Sequence, residues 1–545
     1  MAWPNRGLAH RPVVMGRRGM VSSAHPLASL AGLRMLMQGG NAVDAAVATA
    51  AALNVVEPFM SGLGGDGYLL LYTARDRRLR ALDYVGRSPH AAGPNAFATP
   101  DEKERGPRSA LVPGAPGGWL TALEEHGRLD PATVFAPAIE YAEGGVPLTI
   151  KGADFFASGA DRLSPEARAV FLPGGEVPAP GALLRQPQLA ATYRELARGG
   201  KESFYRGPLA ERILAYLDDR GALLVERDFV DFRAEWQETA GVTYRGYEVR
   251  TLLPPCSGFQ YLQTLNILEG FDLAAPDSGG HNTGATIHTM AEAMKLAIAD
   301  RIAYAARPDV PLAGLLAKEY AERRRALIDP QRARPGEGER HGEARVPDAI
   351  PAGDPAAYAH EHTTHFDAVD EEGNAVSVTQ SLGAVFGSGV LLGDTGILLN
   401  NLAYWFDLDP ASPNALGPHK KIEMCMAPAA VFRDGELLLV IGTPGSFGIL
   451  ETTPQMIANV LDHGHSVQAA IEAPRFRTFA GTRLAVEARV PAPVRAELAR
   501  LGHEVEVLPD YTWAVGGGQG ILIDPASGAR MGGADPRRDG YAIGW

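Results

Sequence analysis

Two short stretches of alternating apolar and polar residues flank a polar turn late in the chain. Residues 366–369 and 375–379 carry the β-branched, period-two pattern of half-buried strands. Residues 370–374, Asp-Glu-Glu-Gly-Asn, are typical of a tight turn between them. The pattern predicts a β-hairpin in which Thr363 lies opposite Ser381. Two hydroxyl side chains would then meet on neighbouring strands.

Other segments alternate between helical and extended patterns. We predict a helix from Pro26 to Gln38, and a second helix that begins at Asn41 with Asp44 in a capping box and ends at Glu57. Apolar runs at residues 68–72 and 437–441 predict buried strands, and further helices are predicted near residues 454–463 and 493–501. These elements lie on both sides of the hairpin, so we expect an α/β (α+β) body built from stacked helix and sheet layers.

A polar segment rich in Arg, Pro, Gly and Glu runs directly into the hairpin. Residues 328–362 lack apolar periodicity, so they are predicted to form an exposed, flexible linker. Such a linker is what a self-cleaving precursor requires. The Thr363 hydroxyl would attack the His362 carbonyl, an N-to-O acyl shift would form an ester, and water would release Thr363 as a new N-terminus. The freed amine then serves as the base for the same hydroxyl.

We therefore predict cleavage between His362 and Thr363, which divides the chain into residues 1–362 and 363–545. Thr363 is the predicted nucleophile and Ser381 its supporting hydroxyl. An ordinary β-hairpin with an exposed threonine and serine is the alternative interpretation. Three histidines nearby or downstream, His362, His365 and His419, match no spacing of a metal-binding helix or knuckle, so no metal site is predicted.

Composition and charge narrow the function classes. The 545 residues are 46% hydrophobic and 21% charged, as in ordinary globular proteins. A net charge of −13 argues against nucleic acid or an anionic membrane as a partner. No apolar run is long enough to span a bilayer, and residues 1–10 lack the apolar core of a secretory signal. Two cysteines are too few for a disulfide framework, so we expect a cytoplasmic location.

Ten motifs spread over nearly the whole chain resemble those of the γ-glutamyltranspeptidases (glutathione hydrolases), a branch of the N-terminal-nucleophile hydrolases. They lie at residues 39–46, 61–67, 112–119, 254–269, 290–301, 363–381, 396–401, 442–445, 473–476 and 534–537. The resemblance implies one continuous four-layer αββα sandwich, cut into a heterodimer of its own two chains. It also implies a cofactor-free enzyme that transfers a γ-glutamyl or related acyl group from an amide to water or an acceptor amine. A non-catalytic binding protein on the same scaffold is a remote alternative.

The resemblance also assigns an oxyanion hole. In the family, two successive backbone N–H groups after a buried strand stabilise the negative oxygen of the tetrahedral intermediate. Carried over to this chain, they belong to Gly445 and Ser446, which follow the predicted strand at residues 437–441. The family usually has a second glycine where Ser446 stands. A backbone donor tolerates this change, so the oxyanion function is expected to persist.

The predicted substrate pocket departs from the family pattern in the residues that would bind an amino-acid head. Val85 stands where the family places the arginine that binds the α-carboxylate. Arg87 is two residues further on, so on an extended strand it points the same way as Val85. Asn401 belongs to the family's Asn-Asn pair, but Trp405 takes the place of the acidic residue that binds the α-amino group.

Two more departures affect the same pocket. Met424 and Cys425 replace a serine pair that assists with the carboxylate, and Leu402 follows the Asn-Asn pair. A buried zwitterionic head needs charged partners, so these replacements disfavour ordinary glutathione chemistry. The pocket suits an acyl group with one carboxylate or none, such as the dicarboxylic side chain that cephalosporin acylases remove, or oxamate. The γ-glutamyl group stays a candidate, with Arg87 as its carboxylate partner.

Overall fold

The computed structural model describes residue 7 and residues 9–275, 280–338 and 362–545. The strands in these ranges are β1 (Val14–Gly16), β2 (Met20–Ser23), β3 (Asp66–Thr73), β4 (Arg78–Asp83), β5 (Val146–Pro147), β6 (Leu183–Leu184), β7 (Glu235–Gln237), β8 (Thr239–Tyr244), β9 (Tyr247–Leu252), β10 (His362–Val369), β11 (Ala375–Gly383), β12 (Ala429–Arg433), β13 (Glu436–Gly442), β14 (Phe476–Thr478), β15 (Arg483–Glu487), β16 (Glu504–Leu508), β17 (Gln519–Ile523), β18 (Arg530–Ala534) and β19 (Tyr541–Gly544).

The α-helices of the same ranges cluster mainly before β10 and again after β13. They are α1 (Pro26–Met37), α2 (Ala42–Val56), α3 (Pro100–Glu104), α4 (Ala115–His126), α5 (Pro131–Gly144), α6 (Ile150–Gly159), α7 (Pro165–Phe171), α8 (Pro187–Tyr205), α9 (Pro208–Asp218), α10 (Glu226–Asp231), α11 (Phe259–Leu268), α12 (Gly284–Tyr304), α13 (Leu312–Leu315), α14 (Lys318–Arg325), α15 (Ile449–Leu461), α16 (Val467–Glu472) and α17 (Ala492–Arg500).

Two seven-stranded antiparallel sheets form the centre of the molecule. The hairpin sheet has the order β19-β2-β10-β11-β3-β4-β7, and the facing sheet has the order β1-β18-β17-β13-β12-β9-β8. Strands β10 and β11 contact β13 and β17 across the space between the sheets. Helices α1, α2 and α4 cover the outer side of the hairpin sheet, and α11, α15 and α16 cover the outer side of the facing sheet. The predicted αββα sandwich is confirmed.

Burial on both faces explains the continuous apolar run in β3. Leu69 and Leu71 pack in the core with α1 and α2, whereas Tyr68 and Leu70 pack in the core with the facing sheet. A strand that is covered on both sides does not alternate apolar and polar residues. The sequence pattern of β10 and β11 is different because their inner face, between the sheets, is polar.

The predicted hairpin register is confirmed. Strand β10 pairs with β11 through Thr364↔Gln380 and His365↔Thr379, which is the register that sets Thr363 opposite Ser381. The register shifts at the open end, where His362 pairs with Gly383 instead of Leu382. This irregularity bends the strand pair next to the two hydroxyls.

Both sheets combine strands from both sides of residue 362. In the hairpin sheet, β10 and β11 lie between β2 and β3; in the facing sheet, β12 pairs with β9. The two predicted fragments therefore share both central sheets. Most of the predicted linker, residues 339–361, lies outside the described residues. The first part of the linker is held to the rest of the protein. Ala333 N donates to the Leu501 carbonyl, and Gly336 forms an antiparallel β-bridge with Gly481.

Most predicted helices are observed within a few residues of their predicted bounds. The Asn41–Asp44 capping box is present at the start of α2. Helix α1 begins at Pro26, as predicted, after His25, whose imidazole accepts from Leu27 N. Helix α15 begins at Ile449, five residues before the predicted start, and contains Pro454 in its interior. Burial of nearly every residue of α15 offsets the cost of that proline.

Candidate active site

The hydroxyls of Thr363 and Ser381 meet at the open end of the hairpin. The Thr363 Oγ1–Ser381 Oγ distance is 3.4 Å, and both side chains are buried, with 5% and 3% of their surface exposed. The backbone N–H of Gly383 donates to Ser381 Oγ at 2.8 Å. Ser381 Oγ is thus held in place by the backbone on one side and faces the Thr363 hydroxyl on the other. This is the arrangement expected of the predicted nucleophile and its supporting hydroxyl.

A buried histidine lies two residues after Thr363, the predicted nucleophile, on the same face of β10. His365 Nδ1 is 2.8 Å from Thr379 Oγ1 and its Nε2 is 3.2 Å from Asp367 Oδ2. The ring is fully buried and has partners at both nitrogens, so it is fixed in orientation. Sequence reasoning assigned His365 no role. Its spacing of two residues from Thr363 was the available signal, because residues i and i+2 of a strand share a face.

His365 also sets the position of the predicted oxyanion loop. A Cβ atom at Gly442 would lie 2.4 Å from His365 Cε1, so only glycine lets the end of β13 pack on this ring. The chain then continues through Thr443, whose Oγ1 accepts from Gly517 N at 2.9 Å, to Gly445 and Ser446. The loop therefore leaves β13 at the point where Gly442 packs against His365, two residues after Thr363.

Ser446 adopts an unusual backbone conformation in this loop. Its φ is +54° and that of Gly445 is +130°, both in the region that favours glycine. The Ser446 side chain is buried, and its hydroxyl has no hydrogen-bond partner among the described residues. No side-chain hydrogen bond among the described residues offsets the cost of this positive φ at Ser446. This indicates that the site requires the orientation of the backbone itself.

Replacing Ser446 with glycine is expected to preserve turnover within a few-fold. The backbone N–H is unchanged, and relief of the left-handed strain, about 1–2 kcal/mol, is largely offset by the entropy that glycine loses on folding, about 0.5–1 kcal/mol. Steady-state kinetics and a urea melt of Ser446→Gly check this. A tenfold or larger loss of turnover in a normally stable variant would assign the function to the hydroxyl instead of the N–H group.

The next residue of the loop carries an aromatic wall. The Phe447 ring packs edge-on against Trp405, with ring centroids 5.0 Å apart, and its face lies 3.8 Å from the Arg301 guanidinium carbon. Arg301 in turn pairs with Glu423 at 2.7 Å, and both are fully buried. The structure thus brings Trp405, which occupies the family's acidic position, next to the predicted oxyanion loop. Glu423 is neutralised by Arg301.

Asn401 and Cys425 support this region from behind. Asn401 Oδ1 accepts from Ala384 N and its Nδ2 donates to the Glu104 carbonyl, each at 2.8 Å, so both ends of the amide are used. A Cβ at Gly383 would lie 2.1 Å from Asn401 Oδ1, which explains the glycine two residues after Ser381. Cys425 is buried between the sheets, in the core that also contains Tyr68.

Arg87 lies away from the hydroxyl pair. It lines a small cavity with Val85, Val112, Asp228, Asp231, Phe232, Arg233, Glu235, His419 and Lys421, and neither Thr363 nor Ser381 borders it. Burial, with the neighbouring charges of His90 and Arg87, lowers the pKa of His419, which lines the same cavity. Continuing the β3–β4 register puts Val85 beside Asp66, and Arg87 lies two residues beyond it. The structure does not bring Arg87 to Thr363.

The histidines considered as metal ligands also lie in different places. His365 is buried between the sheets, whereas the His419 ring stacks on His90 at 4.2 Å in the Arg87 cavity. The His362 side chain is outside the described part of the structure. Among the helices in the described ranges, none is both long and apolar enough to cross a membrane.

Comparison with known proteins gives similarity over almost the full length. The family profile described as Gamma-glutamyltranspeptidase matches residues 28–545. The glutathione hydrolase-like YwrD proenzyme of Bacillus subtilis (strain 168) is 37% identical, over 97% of this chain and 99% of its own length. The acylase ACY 1 proenzyme of Pseudomonas sp. (strain SE83) is 36% identical, over 97% and 94%. A solved cephalosporin acylase from Bacillus halodurans is 35% identical with a TM-score of 0.88, covering 99% of this chain and 98% of that one.

Proposed function

Because this chain belongs to the γ-glutamyltranspeptidase family, we propose that it is a self-processing amidohydrolase whose nucleophile is the Thr363 hydroxyl. The observation that carries this proposal is the buried Thr363–Ser381 hydroxyl pair, 3.4 Å apart, at the start of the strand that follows the predicted linker. The family's members among the relatives are hydrolases and acylases described as proenzymes. Both sheets combine strands from each predicted fragment, so the two chains are proposed to remain together as a heterodimer.

The same hydroxyl serves twice in the proposed mechanism. In the precursor, Thr363 Oγ1 attacks the His362 carbonyl carbon, the C–N bond breaks as the acyl group moves to oxygen, and water cleaves the ester. In the processed enzyme, Thr363 Oγ1 attacks the substrate amide while the freed α-amine accepts the hydroxyl proton. The amine passes this proton to the leaving nitrogen as the amide bond breaks. Water then hydrolyses the acyl-enzyme and regenerates the free hydroxyl.

Two groups stabilise these steps. Ser381 Oγ, fixed by Gly383 N, orients the Thr363 hydroxyl. The backbone N–H groups of Gly445 and Ser446 are proposed to donate to the oxyanion that forms in each tetrahedral intermediate. A positive φ at Ser446 supports this role, because it sets the backbone in an orientation that an ordinary turn does not require.

For the acyl group, we propose a preference for chains that lack an α-amino cation. The positions that bind this cation in the family are taken by Trp405 and Leu402, and Leu402 is buried. Burying an ammonium without its counter-charge costs several kcal/mol, and about 1.4 kcal/mol is already tenfold in affinity. A glutaryl group, which is a γ-glutamyl group without the amine, avoids this cost. Hydrolysis of glutaryl and similar mono-anionic amides is therefore the proposed activity.

The test compares matched glutaryl and γ-glutamyl anilides on the processed enzyme. We expect kcat/KM for the glutaryl substrate to exceed that for the γ-glutamyl substrate by about tenfold or more. An oxamate amide in the same panel tests the smallest acyl group. A preference of tenfold or more for γ-glutamyl would mean that other residues rebuild the α-amino site and that the protein is a conventional glutathione hydrolase.

A further inference from the structure

Asp66 is the cross-strand neighbour of the hydroxyl that supports the nucleophile. Strand β3 pairs with β11 through Asp66↔Ser381 and Tyr68↔Thr379. Thr363, Ser381 and Asp66 therefore form one row across three adjacent strands. Tyr68 lies in the core between the two sheets, and Asp66 shares its strand face at the i and i+2 positions. Both residues therefore lie on the face of the hairpin sheet that also carries Thr363 and Ser381.

Each of these side chains has a polar atom that is buried without a partner. Asp66 Oδ1 accepts from the N–H groups of Gly86 and Gly114, at 3.0 and 2.7 Å. Its second oxygen, Oδ2, has no hydrogen-bond partner among the described residues, and neither has the Tyr68 hydroxyl. Both residues have no exposed surface. Buried polar atoms in native proteins are nearly always hydrogen-bonded, so these two atoms on the same face of β3 are candidates to bond with a polar group of a ligand.

We propose that Asp66 and Tyr68 recognise the distal carboxylate of the acyl group, donating to it from Asp66 Oδ2–H and from the Tyr68 hydroxyl. This inference rests on the proposed function and names the residues that select its substrate class. It assigns to β3 the role that the family gives to the serine pair now replaced by Met424 and Cys425. Lys421 adds a positive charge nearby, because its Nζ donates to Asp83 Oδ2 at 2.8 Å and to the Val85 carbonyl at 2.9 Å.

The distances suit a five-carbon acyl chain. One strand separates β3 from β10, so the Asp66 and Thr363 Cα atoms lie about 9.5 Å apart at the usual strand spacing. A glutaryl chain spans about 5 Å between its two carbonyl carbons. The side chains of Asp66 and Thr363 cover the remaining distance from either side. Arg87 lies at least one further strand away and is not needed.

Asp66 must be protonated to donate, and its surroundings favour this state. Burial raises the pKa of Asp66 well above its usual range, and the charge of Asp83 raises it further. The N–H groups of Gly86 and Gly114 and the charge of Lys421 lower this pKa, but by less than burial raises it. The other titratable groups near it are the hydroxyls of Tyr68, Tyr84 and Tyr205, whose own pKa values are raised by burial and by Asp66.

The pH dependence follows from this protonation. As pH rises through the raised pKa of Asp66, the carboxyl loses its proton donor and places a negative charge beside the substrate carboxylate. The kcat/KM for a glutaryl anilide should therefore fall on the alkaline side. The kcat/KM for a valeryl anilide, which has the same chain length and no carboxylate, should not fall with it.

The experiment measures the glutaryl-to-valeryl ratio of kcat/KM over pH for the processed enzyme and four variants. Tyr68→Phe should lower the ratio about tenfold or more, mainly through KM, because it removes one hydrogen bond to a charged group. It should leave valeryl hydrolysis and self-cleavage unchanged. Asp66→Asn keeps an oxygen for Gly86 and Gly114 and supplies an N–H donor in place of the acid. It should retain the ratio and abolish the alkaline decline.

Two variants serve as matched controls. Tyr72→Phe removes a hydroxyl from the same face of β3, four residues further on, and Arg87→Ala removes the cation in the separate cavity; neither should change the ratio. The affinity of the processed enzyme for glutarate, measured by calorimetry, should fall in Tyr68→Phe. It should not change in Tyr72→Phe or Arg87→Ala.

Several results would overturn the proposal. An unchanged glutaryl-to-valeryl ratio in Tyr68→Phe would show that Tyr68 does not bind the carboxylate. A lower ratio in Arg87→Ala would assign carboxylate binding to Arg87. A selective loss of γ-glutamyl hydrolysis in Asp66→Asn would mean that Asp66 is ionised and binds the α-amino group. Failure of the proposed function is separate, because it would abolish self-cleavage and valeryl hydrolysis in the unmodified protein as well. If Asp66→Asn does not fold, the Tyr68→Phe ratio decides by itself.

Discussion

Replacing Thr363 with alanine is expected to leave a single uncut chain of 545 residues with no measurable amide hydrolysis. The hydroxyl is the proposed nucleophile in both self-cleavage and turnover, and it lies 3.4 Å from Ser381 Oγ. In the unmodified protein, denaturing electrophoresis should separate fragments of 362 and 545 − 362 = 183 residues. N-terminal sequencing of the smaller fragment should begin at Thr363.

Two control variants sharpen this prediction. Thr363→Ser keeps a hydroxyl at the same atom and should still cut itself. Thr364→Ala removes the neighbouring hydroxyl. Thr364 shares its strand face with Phe366, which packs in the core under α1 and α2, so this variant should also cleave itself. Cleavage in Thr363→Ala, or a small fragment that starts at a different residue, would show that the nucleophile has been assigned to the wrong position.

Replacing Ser381 with alanine is expected to slow both maturation and turnover by roughly tenfold to a thousandfold, the scale of losing one hydrogen-bonding partner at a reacting centre. Ser381 Oγ is proposed to orient the Thr363 hydroxyl, which lies 3.4 Å away, and it accepts from Gly383 N. The time course of precursor cleavage on a gel and kcat of the processed fraction measure the two effects separately.

Ser377→Ala is the matched control for this experiment. Ser377 lies on the same strand and the same face as Ser381, four residues further from the open end, and is equally buried. It should mature and turn over at the rate of the unmodified protein. If Ser381→Ala does the same, the hydroxyl pair is a structural contact and the activation of Thr363 depends on other groups.

Local patterns predicted the part of the site that is close in sequence. The period-two alternation and the turn at residues 370–374 place Thr363 opposite Ser381, since each strand residue has one partner once the turn is set. The capping box of α2 was predictable for the same reason, because it joins residues three positions apart. The early start of α15 was not, because it depends on tertiary burial around Pro454.

The acyl side of the site depends on contacts between distant segments. Counting two residues along a strand predicted that Arg87 would replace the arginine missing at Val85, but the chain carries Arg87 past the end of β4 into a separate cavity. Asp66, in contrast, drew no attention within a glycine-rich stretch. Its importance appears only when β3 pairs with β11 and sets it beside Ser381.

The sequence by itself determined the layered α/β body and the family, and it predicted Thr363 as the nucleophile, Ser381 as its supporting hydroxyl and the cleavage point between His362 and Thr363. These rest on short-range periodicity, turn chemistry and ordered motifs, which do not require knowledge of which strands become neighbours. Only the tertiary structure decided which polar groups lie beside Ser381, and that His365 packs against Gly442 at the start of the predicted oxyanion loop. These arrangements depend on pairing between strands far apart in the chain and on tertiary burial. Burial leaves particular oxygens without partners. Neither the pairing nor the burial can be predicted from the order of residues along the chain.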